Sequence, residues 1–202
     1  MTPSVFGAKV GEVENGYEKP FAQDAAISGD KMYVPSEVFL VKGVGKHSAP
    51  VASFEHALRD AGVEPYNLVP VSSILPPDAE FVEPHEGVER LSPGQVVHAV
   101  LGRETVTEGR ATAAVGVARA EEGHGYFIER SGVENAGDSA ETLAREMVET
   151  SETAGTSETT GGVAESFSVE ATAVAEEGGD EHTTAVAAAV FVPPEGITGA
   201  SS

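Results

Sequence analysis

The sequence predicts an α+β protein. Three observations point there: β-rich runs outnumber helical ones, only two segments carry apolar residues at helical spacing, and those two lie far apart instead of alternating with strands. No internal repeat is present. Residues 1–32, broken by Gly7, Gly11, Gly16, Pro20 and Ser28-Gly-Asp30, sustain no period and read as a low-order extension. Residues 33–202 read as one domain.

Within that domain each element has its own signal. Glu37-Val-Phe-Leu-Val-Lys-Gly-Val-Gly45 is a β-rich run closing in glycines, which predicts a strand and then a turn. Val51, Phe54, Ala57, Leu58 and Ala61 recur at helical spacing, with Pro50 suited to the first turn and Gly62 to the stop. Residues 66–74 read as one strand, Pro70 hinting at an edge or bulge, and Pro76-Pro77 ends it. Gln95–Arg103, Thr112–Arg119 and Gly125–Arg130 read as three further strands. Ala140, Leu143, Ala144, Met147 and Val148 form one apolar helical stripe, with Asp138 and Glu141 spaced as a capping box. A loop over 154–162 then leads to two final strands, Val163–Val174 and His182–Val192.

Charge narrows the function. The chain carries 33 acidic and 12 basic side chains, a formal net charge of −21. That balance excludes nucleic acid, whose phosphates need clustered Lys and Arg, and disfavours anionic membrane surfaces. Leu, Ile, Val and Phe make up about 23% of the chain, close to the composition at which highly charged chains stay unfolded. Lysine is scarce and the acids are scattered among small apolar residues, so the reading is adaptation to high salt, where a Debye length of about 3 Å screens self-repulsion. With no signal peptide and no membrane-length apolar run, the expected location is the cytoplasm.

Several chemistries lack their residues. Cysteine is absent, so no disulfide, thiolate zinc site or Cys nucleophile exists. The histidines at 47, 56, 85, 98, 124 and 182 stand singly, without metal-ligand spacing. Lys42-Gly-Val-Gly-Lys46 lacks the P-loop spacing, and no Gly-x-Ser-x-Gly elbow occurs. What stands out is Asn67-Leu-Val-Pro-Val-Ser-Ser-Ile-Leu-Pro-Pro77. Side chains alternate along a strand, so one of the adjacent serines faces inward, and a buried hydroxyl needs a partner or a task. One task suits an enzyme without thiol or metal. The Ser73 hydroxyl attacks the carbonyl of Ser72, the resulting ester eliminates, and hydrolysis leaves a pyruvoyl ketone at a new N-terminus.

These residues carry a resemblance to the pyruvoyl-dependent arginine decarboxylases over roughly 33–192. Beside the Asn67–Pro77 block stand Val34-Pro-Ser-Glu-Val-Phe-Leu40, Lys42-Gly-Val-Gly45, Ser53-Phe-Glu-His-Ala-Leu-Arg-Asp-Ala-Gly62 and Gly125-Tyr-Phe-Ile-Glu129. Arg145-Glu-Met147 and the small-residue strand Thr184–Val190 complete the set. The resemblance implies an αββα sandwich of mainly antiparallel sheet with two main helices, self-cleaved between Ser72 and Ser73 into a β chain (1–72) and an α chain (73–202). It implies a covalent pyruvoyl group made from Ser73, without metal or pyridoxal phosphate, forming a Schiff base with L-arginine and releasing agmatine and carbon dioxide for polyamine supply. Ser72 then lines the finished site, and Asn67 stabilises the oxyanion of the acyl shift. Glu129 protonates the carbanion, its neighbours Tyr126, Phe127 and Ile128 providing the apolar company that favours a neutral carboxyl. Glu55, where some relatives carry Asp, pairs with the substrate guanidinium, Asp60 being the weaker candidate. The resemblance further implies a homotrimer of αβ protomers with sites at subunit boundaries, and the acid excess suggests a haloarchaeal source. Two alternatives stay open: a pyruvoyl decarboxylase of another amino acid, and an unprocessed α+β binding or assembly protein.

Overall fold

The structure is a computed structural model, and it describes residues 33–151 and 162–194. The extension over 1–32, nearly all of the loop over 154–162 and residues 195–202 lie outside the described residues. The elements run β1 (Glu37–His47), α1 (Pro50–Asp60), β2 (Asn67–Pro70), β3 (Ile74–Leu75), β4 (Glu80–Phe81), α2 (Pro84–Glu89), β5 (Val96–Val106), β6 (Arg110–Ala120), β7 (Gly125–Ser131), α3 (Ala136–Thr150), β8 (Val163–Val174) and β9 (His182–Val192).

Two sheets form. One has the order β2-β5-β9-β1-β4, the other β3-β7-β6-β8. Pairing is antiparallel except at β1–β4 and β2–β5. Helices α1 and α2 cover the outer face of the first sheet, and α3 covers the outer face of the second. The result is the αββα sandwich, held by a core layer between each pair of neighbours. Between the sheets lie Val38, Leu75, Val100, Val115, Val117, Phe127, Ala187, Ala189 and Phe191. Between the first sheet and its helices lie Phe39, Val41, Val63, Val97 and Val190. Under α3 lie Ala114, Ala118, Ala136, Ala140, Ala144 and Val148. β9 is buried on both faces, which its run of Ala and Val accommodates.

The two glycines of the first strand do not make a turn. β1 continues through them to His47, because α1 lies directly on its backbone. A Cβ at Gly45 would sit 2.2 Å from the Ser53 carbonyl oxygen, and one at Gly43 would sit 2.2 Å from that of Ala57. The same device seats α3, where a Cβ at Gly116 would meet the Ala140 carbonyl carbon at 2.2 Å. Ser53, fully buried on α1, bonds to Thr184 of β9 at 2.7 Å, and Thr184 bonds to Thr105 of β5 at 2.8 Å, so the polar groups enclosed by this close packing satisfy one another. Gly62 ends α1 with φ 76°, as its position predicts.

Three further readings change. The run over 66–74 is two strands in different sheets. α2 and β4, too short to show a period, were not foreseen. α3 starts at Ala136 behind Asn135, two residues before Asp138, and Asp138 makes no cap; Glu170 of β8 instead accepts the Gly137 amide at 2.7 Å. Among the described residues, no helix is long and apolar enough to cross a membrane.

Close backbone packing sets the first expected outcome. Gly45→Ala, having rigid backbone to displace, lowers stability by about 1–3 kcal/mol, measured as the shift in a urea or thermal unfolding midpoint. An unchanged midpoint would contradict the packing described.

Candidate functional site

The serine pair sits where the chain leaves one sheet for the other. β2 is an edge strand paired in parallel with β5 (Asn67 with Val96, Pro70 with Ala99), and Pro70 is its last residue. An edge strand tolerates the missing proline N–H. The amide of Val71 still donates to the Ala99 carbonyl at 3.0 Å. Two residues later the carbonyl of Ser73 accepts the Phe127 amide of β7 at 2.8 Å, and Ile74 and Leu75 continue that pairing with Tyr126 and Gly125. The Ser72–Ser73 peptide therefore bridges the two sheets, tied to β5 on one side and β7 on the other.

Burial distinguishes the two hydroxyls. Leu75 is fully buried between the sheets and Ile74 is 45% exposed. Ser73 is half-buried, whereas Ser72 is exposed, so the Ser73 side chain is the more enclosed of the two. On β7 side chains alternate. Phe127 points into the inter-sheet core, and Glu129, paired with Val115, points to the same side two residues further on. Ser73 bonds through its carbonyl to Phe127, and Glu129 stands two residues further along β7. Among the described residues, no hydrogen bond joins Ser73 to Glu129.

Glu129 is exposed, so the burial expected from its apolar neighbours is absent in the single chain. Alternation explains this: Tyr126 and Ile128 pack under α3, on the opposite face of β7. Val69, Val71 and Ile74, each 38% exposed or more, flank the serine pair in the chain with unburied apolar surface.

Glu55 and Asn67 lie elsewhere in the chain. Glu55 is exposed on α1 and accepts a bond from Arg59 at 2.9 Å, one turn along the helix. Arg59 also reaches Glu64 at 3.6 Å. Asn67 opens β2 at the end away from the serines, and its side-chain amide donates to the Gly94 carbonyl at 2.7 Å. Asp60 accepts the Val44 amide at 2.9 Å, a bond between helix and strand. Among the described residues, no hydrogen bond or ion pair joins Glu55 or Asn67 to Ser72, Ser73 or Glu129.

The structure adds two features near the serines. Tyr33 places its phenol 2.7 Å from Nδ1 of half-buried His98, the β5 residue paired with Val69. Burial raises the Tyr33 phenol above its ordinary value, which keeps it a protonated partner. Arg119 of β6 donates to the carbonyls of Pro77 and Ala79, just downstream of the serines. An isolated arginine in an apolar strand carries no sequence signal for that contact. Among the described residues, no group of three or more His, Asp or Glu side chains is arranged to hold a metal.

Can this place host a ketone made from Ser73? Its position fits: half-buried, with its own carbonyl already fixed by Phe127, and at the end of a segment anchored by buried Leu75.

Comparison with known proteins agrees with that chemistry. The family described as Pyruvoyl-dependent arginine decarboxylase (PvlArgDC) matches residues 37–196. Pyruvoyl-dependent arginine decarboxylase 2 of Archaeoglobus fulgidus is 46% identical over 165 residues, which cover 79% of this chain and 98% of that protein. Pyruvoyl-dependent arginine decarboxylase 1 of the same organism is 43% identical over 166 residues, covering 79% and 99%. Pyruvoyl-dependent arginine decarboxylase 1 of Methanosarcina acetivorans is 38% identical over 167 residues, covering 79% and 96%.

β3 is only two residues long, so its seat on β7 is sensitive. A Cβ at Gly125 would sit 2.3 Å from the Ala118 carbonyl oxygen and 3.0 Å from a Leu75 methyl. Gly125→Ala is expected to unseat β3, lowering the melting temperature and slowing appearance of cleaved chains on a denaturing gel. Unaltered cleavage and melting together would show that the serine pair does not depend on this contact.

Proposed function

This chain belongs to the pyruvoyl-dependent arginine decarboxylase family, and from that premise we propose that it cuts itself between Ser72 and Ser73 and decarboxylates L-arginine to agmatine. The observation that carries the reading is the Ser72–Ser73 peptide held across the two sheets, its Ser73 carbonyl bonded to Phe127, two residues before Glu129 on β7. In the acyl shift, the Ser73 hydroxyl attacks the Ser72 carbonyl, transferring the acyl group from nitrogen to oxygen. Elimination then releases Ser72 as a carboxylate, and hydrolysis of the remaining enamine frees ammonia. The backbone ties to Ala99 and Phe127 keep both sides of the scissile bond in place while this happens.

The ketone so formed supplies an electrophile for the substrate amine and a sink for the electrons left when carbon dioxide departs. This chain's residues do the rest. Glu129 delivers the proton that replaces the carboxylate on the substrate carbon. Ser72, now a chain end, lines the pocket with its hydroxyl. Glu55 pairs with the guanidinium of arginine, exchanging the Arg59 contact for the substrate's. Asn67 stabilises the oxyanion of the acyl shift, exchanging the Gly94 carbonyl for that oxygen.

Glu55 and Asn67 are both exposed, Glu55 midway along α1 and Asn67 at the start of β2, next to the connection where Arg59 reaches Glu64 and the Gly94 amide donates to the Pro65 carbonyl. We assign them to the site of a neighbouring subunit in a homotrimer of αβ protomers. The same neighbour covers Val69, Val71, Ile74 and Glu129, removing apolar surface from water and giving Glu129 the enclosed setting its role requires. The −21 charge is then the solvated coat of a cytoplasmic, salt-adapted enzyme.

Two variants separate processing from turnover. Ser73→Ala abolishes both self-cleavage and carbon dioxide release; normal cleavage in this variant would overturn the assignment. Glu129→Gln cleaves normally but releases carbon dioxide from L-arginine about 10²- to 10⁴-fold more slowly. Wild-type rates in that variant would move the proton donor elsewhere. A panel of amino acids scored by released carbon dioxide tests the substrate: arginine is preferred, and turnover of another amino acid without arginine turnover would refute the choice.

A further inference from the structure

Self-cleavage creates a mechanical problem. Before the cut, residues 71–73 are tethered at both ends, Val71 to Ala99 and Ser73 to Phe127. After it, residue 73 becomes a chain end, and chain ends fray unless tied down. Only two residues of β3 pair with β7 beyond that end. Yet the reacting ketone is at the end itself, so the segment behind it has to stay fixed.

Arg119 is placed to fix it. Its guanidinium sends one N–H to the Pro77 carbonyl at 3.0 Å and another to the Ala79 carbonyl at 2.6 Å, clamping the turn that follows buried Leu75 and Pro76. The planar fork suits two carbonyls at once, which a lysine ammonium cannot match. The clamp is itself held. Arg119 sits in the long β6 ladder opposite Glu165, whose carboxylate lies 3.7 Å from Nε, and its guanidinium carbon lies 5.4 Å from the centre of the Phe81 ring. Its side chain is 21% exposed. Among the described residues it makes no bond to Ser72, Ser73 or Glu129; its contacts are with the segment behind them.

We infer that Arg119 is a positioning residue that holds the newly made N-terminal segment of the α chain, residues 73–79, in register after self-cleavage. The inference rests on the proposed self-cleavage. It assigns Arg119 to turnover and not to processing, because before the cut the β2 side supplies a second anchor.

The test compares Arg119→Met and Arg119→Lys with the wild-type chain. Arg119→Met is expected to cleave at the normal rate, then show kcat lowered about 10- to 100-fold, in line with a small misplacement of reacting groups, with KM for L-arginine changed less than about twofold. Arg119→Lys recovers part of kcat through one of the two carbonyl bonds. Hydrogen exchange gives a second reading that needs no Arg119 variant: in the wild type, the amides of Ile74, Leu75, Asp78 and Ala79 stay as protected after cleavage as in uncut Ser73→Ala. Normal kcat in cleaved Arg119→Met, or strong loss of protection at these amides on wild-type cleavage, would overturn the inference alone. An uncut wild-type chain would overturn the self-cleavage it rests on as well.

Discussion

Everything around the proposed site depends on one short crossing of chain between two sheets. Asn67–Pro70 belongs to one sheet and Ile74–Leu75 to the other, leaving residues 71–73 to span the edge of the sandwich. A strand that stayed in one sheet would present both serines as ordinary ladder residues. The crossing instead fixes the backbone on either side of one peptide bond and leaves that bond outside regular pairing, where its carbonyl and the next hydroxyl can approach each other. It also leaves Ser73 half-buried while Ser72 stays exposed.

The rest of the fold serves to keep the two sheets close and rigid. Helices α1 and α3 rest on Gly43, Gly45 and Gly116, with no side chain between backbone and backbone. β9, rich in alanine, threads the middle of its sheet and packs on both faces. Small residues make thin layers, and thin layers bring β5 within reach of β6 and β7: a Cβ at Gly102 would sit 2.9 Å from the Ala114 carbonyl oxygen. A chain with so much surface charge and so few large apolar side chains gains its stability from close packing more than from bulk.

Much of this was legible in the sequence. The two helical stripes, the last two strands and the strands from β5 to β7 followed from period and turn residues, because each is long enough to repeat its pattern. Gly43 and Gly45 misled, since a glycine admitting a helix and a glycine making a turn look alike in sequence. The split of 66–74 was hidden for a related reason: residues on both sides of the crossing are extended and apolar, and only pairing partners far along the chain reveal two sheets. Of the proposed site, the serine pair stood out from its residues, and Glu129 followed from the family resemblance alone. The exposure of Glu129 could not be read there, because it is set by strand parity against Val115 and by what covers the edge. Arg119 left no trace, as its two partners are backbone carbonyls that any sequence provides.

The central claim is that the Ser72–Ser73 bond is a reaction site and not a structural joint. The intact mass of the purified wild-type chain tests it without any choice of substrate. The account predicts two components divided after residue 72, the second beginning at residue 73 with a ketone in place of its amine and resistant to N-terminal sequencing. A single component of the full 202-residue mass, persisting after incubation under folding conditions, would contradict it.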